Sequence, residues 1–125
     1  MSLIIDPDVR KFIMKKSLEE RKALSQNILN KYWERVPIIV GRAELKNTPA
    51  ISKHKFLIPA NSTFNKVVHE LRKSIPNLNE SVSLFFFLNN NMLIPGSAPI
   101  SFLYQKYRAE DGFLYITYSS ENTFG

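Results

Sequence analysis

The sequence predicts an α+β fold: a mixed four-stranded sheet crossed by one helix, with two further helices ahead of it. Three observations carry this expectation. Two helix-capping signals, at Asp6-Pro7 and at Ser17 with Glu20, stand near the start of the chain. Four short apolar runs, PIIV, KFLIP, LFFFL and FLYITY, have strand length and are bounded by turn residues. Between the second and third runs lies the clearest amphipathic helix of the chain. Its apolar residues Phe64, Val67, Val68, Leu71 and Ile75 recur at helical spacing.

The elements follow in order. Asp6 reads as an N-cap with Pro7 in the first turn, and Val9, Phe12 and Ile13 give a short apolar stripe. Ser17 and Glu20 have capping-box spacing for a second helix. Its stripe is Leu24, Ile28 and Tyr32, and it is expected to end near Trp33, ahead of Pro37. Val36 to Arg42 is a strand with a proline near its start. A polar loop, ELKNTPAISK, leads to a second strand over Lys55 to Pro59. Asn61, Ser62 and Thr63 offer caps for the central helix, which Pro76 closes. Leu84 to Leu88 suits a strand covered on both faces. Asn89 to Asn91 reads as a turn and Leu93-Ile94 as a short strand. Ser101 to Tyr107 fits one or two helical turns with serine as cap, Asp111-Gly112 a turn, and Phe113 to Tyr118 a last strand. SSENTFG has no periodicity and reads as a loose tail.

Without its first two helices this order is β-β-α-β-β, which is the ubiquitin-like β-grasp; a ferredoxin-like α+β fold fits the pattern as well. The expected organisation is one domain: a helical extension over 1–33, a grasp core over 34–119 and a flexible tail over 120–125.

Composition narrows the function. A chain of 125 residues with 44% hydrophobic residues is long enough for one real core. It has no cysteine, which excludes disulfides, thiolate metal sites and a cysteine nucleophile of its own. No apolar run reaches membrane-spanning length, and MSLIIDPDVRK has no secretion-signal pattern, so a cytosolic setting is expected. The net charge of +6 fits nucleic acid, an anionic membrane surface, acidic peptides or merely a solvated basic face. His54 and His69 lack metal-ligand spacing, and no cofactor motif is present, so neither metal nor cofactor is expected. Glu110 and Asp111 are adjacent acids best read as turn residues. Many of the aromatics sit in apolar strand runs rather than among basic residues, which argues against nucleic acid.

Several segments resemble one family. KYWERVPIIV, KHKFLIPAN, LFFFLNN and above all YRAEDGFLYITYSSENTFG are similar to the autophagy ubiquitin-like modifiers, the family of the GABA-receptor-associated protein and the microtubule-associated light chain. The resemblance runs from about Asn27 to Gly125, with a one-residue insertion near Asn77 to Ser81. It implies a non-enzyme joined through Gly125 to phosphatidylethanolamine on autophagosomal membranes, in autophagosome formation and cargo recruitment. The implied partners are activating and conjugating enzymes with catalytic cysteines, a processing and deconjugating cysteine protease, and cargo receptors and adaptors.

The chemistry suits a terminal glycine. After activation as an acyl adenylate, each transfer attacks the same carbonyl carbon, and glycine leaves that carbon unhindered. The resemblance also implies binding of aromatic-x-x-aliphatic motifs along the edge of the second strand. The first pocket would use Ile28, Pro37, Lys55, Leu57 and Phe113. The second would use Phe56, Ile58, Pro59 and Val67. Arg35, Lys53 and His54 would face an acidic flank. Leu24, Trp33, Glu70 and Ser74 depart from the family pattern, which predicts an altered motif preference. A peptide-binding adaptor that is never conjugated is the alternative reading.

Overall fold

The computed structural model describes residues 5–88 and 91–120. Eight elements follow in chain order: α1 (Pro7–Lys15), α2 (Leu18–Lys31), β1 (Arg35–Arg42), β2 (Lys55–Pro59), α3 (Phe64–Lys73), β3 (Phe85–Leu88), α4 (Ile100–Tyr107) and β4 (Leu114–Ser119). The sheet order is β2-β1-β4-β3. The β1–β4 pair is parallel, and the two outer pairs are antiparallel. A parallel central pair flanked by hairpin-like edges is the β-grasp arrangement, so the ferredoxin-like alternative falls.

Both N-terminal caps form. The Asp6 carboxylate accepts from the amides of Asp8 and Val9 at 3.0 and 3.4 Å, and its other oxygen accepts from the Arg42 amide at 2.8 Å. One buried carboxylate therefore starts α1 and pins it to β1. Gly41 makes the close approach possible, because a Cβ there would lie 2.8 Å from the Val9 side chain. Ser17 and Glu20 form the reciprocal capping box at 3.1 and 3.0 Å.

The sheet separates two cores. On one face Ile38, Val40, Phe56, Ile58, Leu114 and Ile116 pack against Phe64, Val67 and Leu71 of α3 and Ile100 and Leu103 of α4. On the other face Ile39, Tyr115 and Phe113 pack against Val9 of α1, with Phe12, Leu24 and Ile28 partly buried around them. Phe86 and Phe87 are both buried although they alternate in β3, so this strand is covered on both faces.

Four details differ from the sequence expectation. The central helix ends at Lys73, with Ser74 as its C-cap, before Pro76 is reached. Its N-terminus has no side-chain cap; the carbonyls of Ala98 and Gly96 accept from Phe64 and Asn65 instead. Residues 93–94 form no strand, only a single bridge between Leu93 and Phe87, because the segment turns back at once into the loop that caps α3. Helix α4 begins at Ile100 with Pro99, not Ser101, at the cap, since the carbonyls of Ser62 and Ala60 already accept from the amides of Ile100 and Ser101. The Asn89–Asn91 turn falls partly, and the tail from residue 121 with Gly125 wholly, outside the described residues.

Three tyrosine hydroxyls are held neutral, with Tyr115 and Tyr118 buried and Tyr104 partly buried. Burial pushes the hydroxyls of Tyr104, Tyr115 and Tyr118 up, and Asp111 pushes Tyr115 further. Their hydroxyls donate to Gly112 O at 2.6 Å, Asp111 Oδ2 at 2.5 Å and Pro49 O at 2.6 Å. In the unfolded chain these groups ionise near pH 10, so there the unfolded state binds fewer protons than the folded one. Their contribution is complete below about pH 10 and declines as pH rises above it. Urea midpoints are expected to fall steeply between about pH 9.5 and 11, with tyrosinate absorbance appearing together with unfolding. A midpoint flat across that range refutes the assignment.

Candidate functional site

The free edge of β2 is the feature from which a site is built. β2 is the outermost strand on its side of the sheet. Backbone bonds from Val40 N to His54 O and from Ala60 N to Glu34 O, both 2.8 Å, fix the phase of the β1–β2 ladder. In an antiparallel pair such bonded positions alternate with unbonded ones, so Phe56 and Ile58 face β1. Lys55, Leu57 and Pro59 direct their main-chain groups away from the sheet. The Pro59 carbonyl is taken by Ser62 N at 3.0 Å, and the Leu57 carbonyl accepts from Arg35 Nη1 at 3.2 Å. Among the described residues the N–H and C=O of Lys55 and the N–H of Leu57 have no hydrogen-bond partner. Proline in β1 does not interrupt the ladder: Pro37 precedes Ile38, where pairing with β4 begins.

The two faces beside this edge differ. Towards α1 and α2, Leu57 is half-buried opposite Pro37 in the register, and Ile28 and Phe113 belong to the apolar cluster of that face. The Lys55 ammonium stands 4.4 Å from the centre of the Phe12 ring. Phe12 in turn meets Phe113 edge-on at 5.7 Å. The five residues expected for a first pocket thus lie on one face of the edge. Towards α3, Phe56 and Ile58 are each 7% exposed and Val67 1%. These three are core; of the second set only Pro59 is open to solvent.

The residues expected to meet an acidic flank are spread along the edge. Lys53 is exposed with its ammonium 4.6 Å from the Phe56 ring. Arg35 sits at the other end, on the Leu57 carbonyl. His54 is partly held: Nδ1 donates to Val40 O at 2.8 Å, leaving Nε2 facing Asp8 Oδ2 at 3.2 Å. Of the departures from the family pattern, Leu24 joins the apolar cluster and Glu70 pairs with Lys73 at 3.8 Å on the surface. The Ser74 carbonyl accepts from Ser52 N at 2.7 Å, tying the end of α3 to the loop before β2.

Two groupings were not expected from the sequence. The first is a cleft of about 480 Å³ between α1 and the start of β2, to which Lys11, Phe12, Lys15 and Lys16 contribute beside Lys53 and Lys55. The segment RKFIMKK shows the charge but not its partner, since only the tertiary fold brings α1 to β2. The second is a buried network around Asp111. Its carboxylate accepts from Arg21 Nε at 3.0 Å, the Tyr115 hydroxyl at 2.5 Å and the Phe113 amide at 3.0 Å. The Arg21 guanidinium also donates to Ile13 O and Lys16 O at 2.9 and 2.6 Å. Gly112, at φ +89°, lets the turn pass so close to α2 that a side chain there would collide with Ser25.

Asp6, Asp8 and His54 bring ligand atoms within 4.8 Å of one another. They do not suit a metal. Asp6 is already occupied by three amides, and Arg42 Nε stands 3.7 Å from its Oδ2, supplying the positive charge. The other buried polar groups with assigned contacts, Ser25, Thr48 and Asp111, bond to backbone, to neighbouring side chains or to the Arg21 cluster, as structural groups do.

The chain is thus a ubiquitin-like grasp domain with two leading helices and an open strand edge. The family model described as "Autophagy protein Atg8 ubiquitin like" matches residues 20–125. Autophagy-related protein 8 of Dictyostelium discoideum is 44% identical over 108 residues, 86% of this chain and 88% of that protein. Autophagy-related protein 8 of Saccharomyces cerevisiae (strain YJM789) is 43% identical over 107 residues, covering 86% and 90%. Among solved structures, Trypanosoma brucei ATG8 aligns with a TM-score of 0.80 at 32% identity, over 87% of this chain and 92% of that one. Plasmodium falciparum Atg8 in complex with a Plasmodium falciparum Atg3 peptide aligns at 0.76 and 34% identity, over 86% and 93%. The chain belongs to the Atg8 family of ubiquitin-like autophagy proteins.

Proposed function

We propose that this chain is a modifier conjugated through Gly125 to phosphatidylethanolamine, and that it recruits cargo receptors and adaptors by adding their aromatic-x-x-aliphatic motifs to the β2 edge. It performs no catalysis itself. It works in the cytoplasm and, once lipidated, on the autophagosomal membrane; among the described residues no helix is long and apolar enough to cross a membrane. Activating and conjugating enzymes and a cysteine protease supply the thiols this chain lacks. The complex of the Plasmodium relative with an Atg3 peptide supports peptide docking and, for that relative, a partner of this kind.

The observation that carries the peptide reading is the open main chain of Lys55 and Leu57 between two apolar faces. A strand added there gains directional hydrogen bonds. Successive side chains of an extended peptide alternate in direction, so positions three apart point to opposite faces. Lys55 and Leu57 face α1 and α2, while Phe56 and Ile58 face α3. An aromatic followed three residues later by an aliphatic therefore fits, provided the peptide runs parallel to β2. Nearby lysines favour an acidic flank, in contacts that salt screens.

Leu57→Ala tests this reading. By fluorescence anisotropy with a labelled acidic aromatic-x-x-aliphatic peptide, affinity is expected to fall by about tenfold or more, the effect of truncating a central contact. Methylating the peptide amides that bond to β2 is expected to weaken binding as strongly. Unchanged affinity in both cases, with wild-type binding measurable, refutes docking at this edge.

A further inference from the structure

We infer that the tip of the loop between β1 and β2 is the surface on which the conjugated chain rests against the bilayer, with Leu45 entering the headgroup region and Lys46 meeting lipid phosphates. This rests on the reading of Gly125 as the conjugation site and adds the face of the body that then meets the membrane.

The loop is fastened to the root of the tail. β1 and β4 are parallel and end together, with Arg42 opposite Tyr118. The Ala43 amide donates to Tyr118 O at 2.7 Å, and the Tyr118 hydroxyl donates to Pro49 O at 2.6 Å. Ser120 is held by the same loop. Its hydroxyl donates to Asn47 O at 2.9 Å, and its amide donates to Thr48 Oγ1 at 3.3 Å. The buried Thr48 hydroxyl donates to Glu44 at 2.9 Å, so the one acid of this loop is turned inward. Asn47, at φ +66°, reverses the chain and leaves Leu45 and Lys46 exposed at the tip. Leu45 is 44% exposed.

Reach identifies the occupant. Gly125 lies five residues beyond Ser120, at most about 17 Å away in any conformation. The headgroup layer is itself roughly 5 to 8 Å deep. Leu45 is two residues from the Asn47 carbonyl that holds Ser120, so a body turned with its strand ends towards the lipid sets the tip among the headgroups. Lys46 and Lys53 are exposed cations at this same end of the sheet, because β2 runs antiparallel to β1 and starts where β1 finishes. Anionic headgroups attract both. Burying one leucine side chain is worth roughly tenfold in an equilibrium constant. That is too little to hold an unattached protein on a vesicle, but it orients one already bonded there, since the second contact is then intramolecular. With the loop down, Arg35 and its register partner Pro59 stand at the end away from the membrane, and the β2 edge rises beside it, open to receptors. An acidic protein would satisfy Lys46 as well, but nothing brings it to the tail root, whereas the lipid arrives there by its covalent bond.

The test uses the full chain conjugated to phosphatidylethanolamine in nanodiscs that also hold phosphatidylserine and a lipid spin-labelled at its headgroup. Broadening of amide resonances reads proximity to the label. The amides of Leu45, Lys46 and Asn47 are expected to lose most of their intensity, and those of Trp33 and Asn61 to keep theirs. Leu45→Glu with Lys46→Glu alters only exposed side chains, so the fold is kept. Once conjugated, that variant is expected to regain most of the lost intensity over 45–47. If the wild-type chain is conjugated but broadening falls evenly over the body or on another face, the inference is overturned while the modifier reading stands. The same holds if the double variant shows the wild-type pattern, because attachment alone then places the loop. If the pattern is unchanged and the double variant is conjugated more slowly, the tip belongs to an enzyme contact and the inference is overturned. If no conjugated species forms from the wild-type chain, the modifier reading fails and this inference with it.

Discussion

Removing Gly125 is expected to abolish the lipid-linked form completely. In a reaction with ATP, the activating and conjugating enzymes and liposomes containing phosphatidylethanolamine, the wild-type chain should gain a faster-migrating, lipid-bearing species on denaturing gels. The chain ending at Phe124 should not. The proposed sequence explains why the effect is all-or-none. The carboxylate attacks ATP to give an acyl adenylate and pyrophosphate, a thiolate displaces AMP, and the lipid amine displaces the thiolate. The two acyl transfers each crowd the carbonyl carbon, and a phenylalanine there adds bulk beside both tetrahedral intermediates. Geometry adds a second constraint. β4 ends at Ser119, and Ser120 is tied down through its amide to Thr48 Oγ1 at 3.3 Å and its hydroxyl to Asn47 O at 2.9 Å. Five residues follow, which reach at most about 17 Å. A partner's thiol must come within that distance of the folded body. Lipid attachment at wild-type level without Gly125 would remove Gly125 as the conjugation site, and no lipid-bearing species from the wild-type chain would favour an adaptor that is never conjugated.

Asp111→Ala is expected to destabilise the fold by about 3 to 5 kcal/mol, the usual consequence of leaving one member of a buried ion pair alone. Asp111 and Arg21 are 4% and 14% exposed, and their contact is 3.0 Å. The loss is large because three elements meet at this carboxylate. Arg21 belongs to α2, its guanidinium holds the last turn of α1 and the residue after it, and Tyr115 and Phe113 belong to the β4 side. Asp111→Asn should cost less, since an amide oxygen still accepts from the Phe113 amide while the charge is lost. Urea denaturation measures both. A loss under about 1 kcal/mol for Asp111→Ala would show that water replaces the carboxylate, as it does at exposed pairs. The same variant should loosen α1, so protection of the Val9 and Phe12 amides against hydrogen exchange is expected to fall with it.

Much of the fold was legible in the sequence, for local reasons. Caps at Asp6 and Ser17, the apolar period through Phe64 and Leu71, and the strand-length runs are all written within a few residues of one another. The details that went astray are non-local. Thr63 makes no side-chain cap because the carbonyls of Ala98 and Gly96, more than thirty residues away, already satisfy the helix start. The central helix stops at Lys73, and the carbonyl of its C-cap Ser74 is bound to Ser52 across the chain. The site divides in the same way. Lys55 and Leu57 are recognisable as edge residues, but burial of Phe56, Ile58 and Val67 depends on α3 covering that face.

The sequence by itself determined the α+β class, the family resemblance and the absence of any thiol, because each is carried by residue type and short spacing, while strand order decided between the grasp and a ferredoxin-like fold. Only the tertiary structure decided which backbone groups of β2 stay unpaired, that Asp111 binds α2 as well as making a turn, and that the lysines of α1 face those of β2. These depend on strand phase and on helices arriving from distant parts of the chain. Hydrogen-bond direction and burial are set there by partners that no local pattern names.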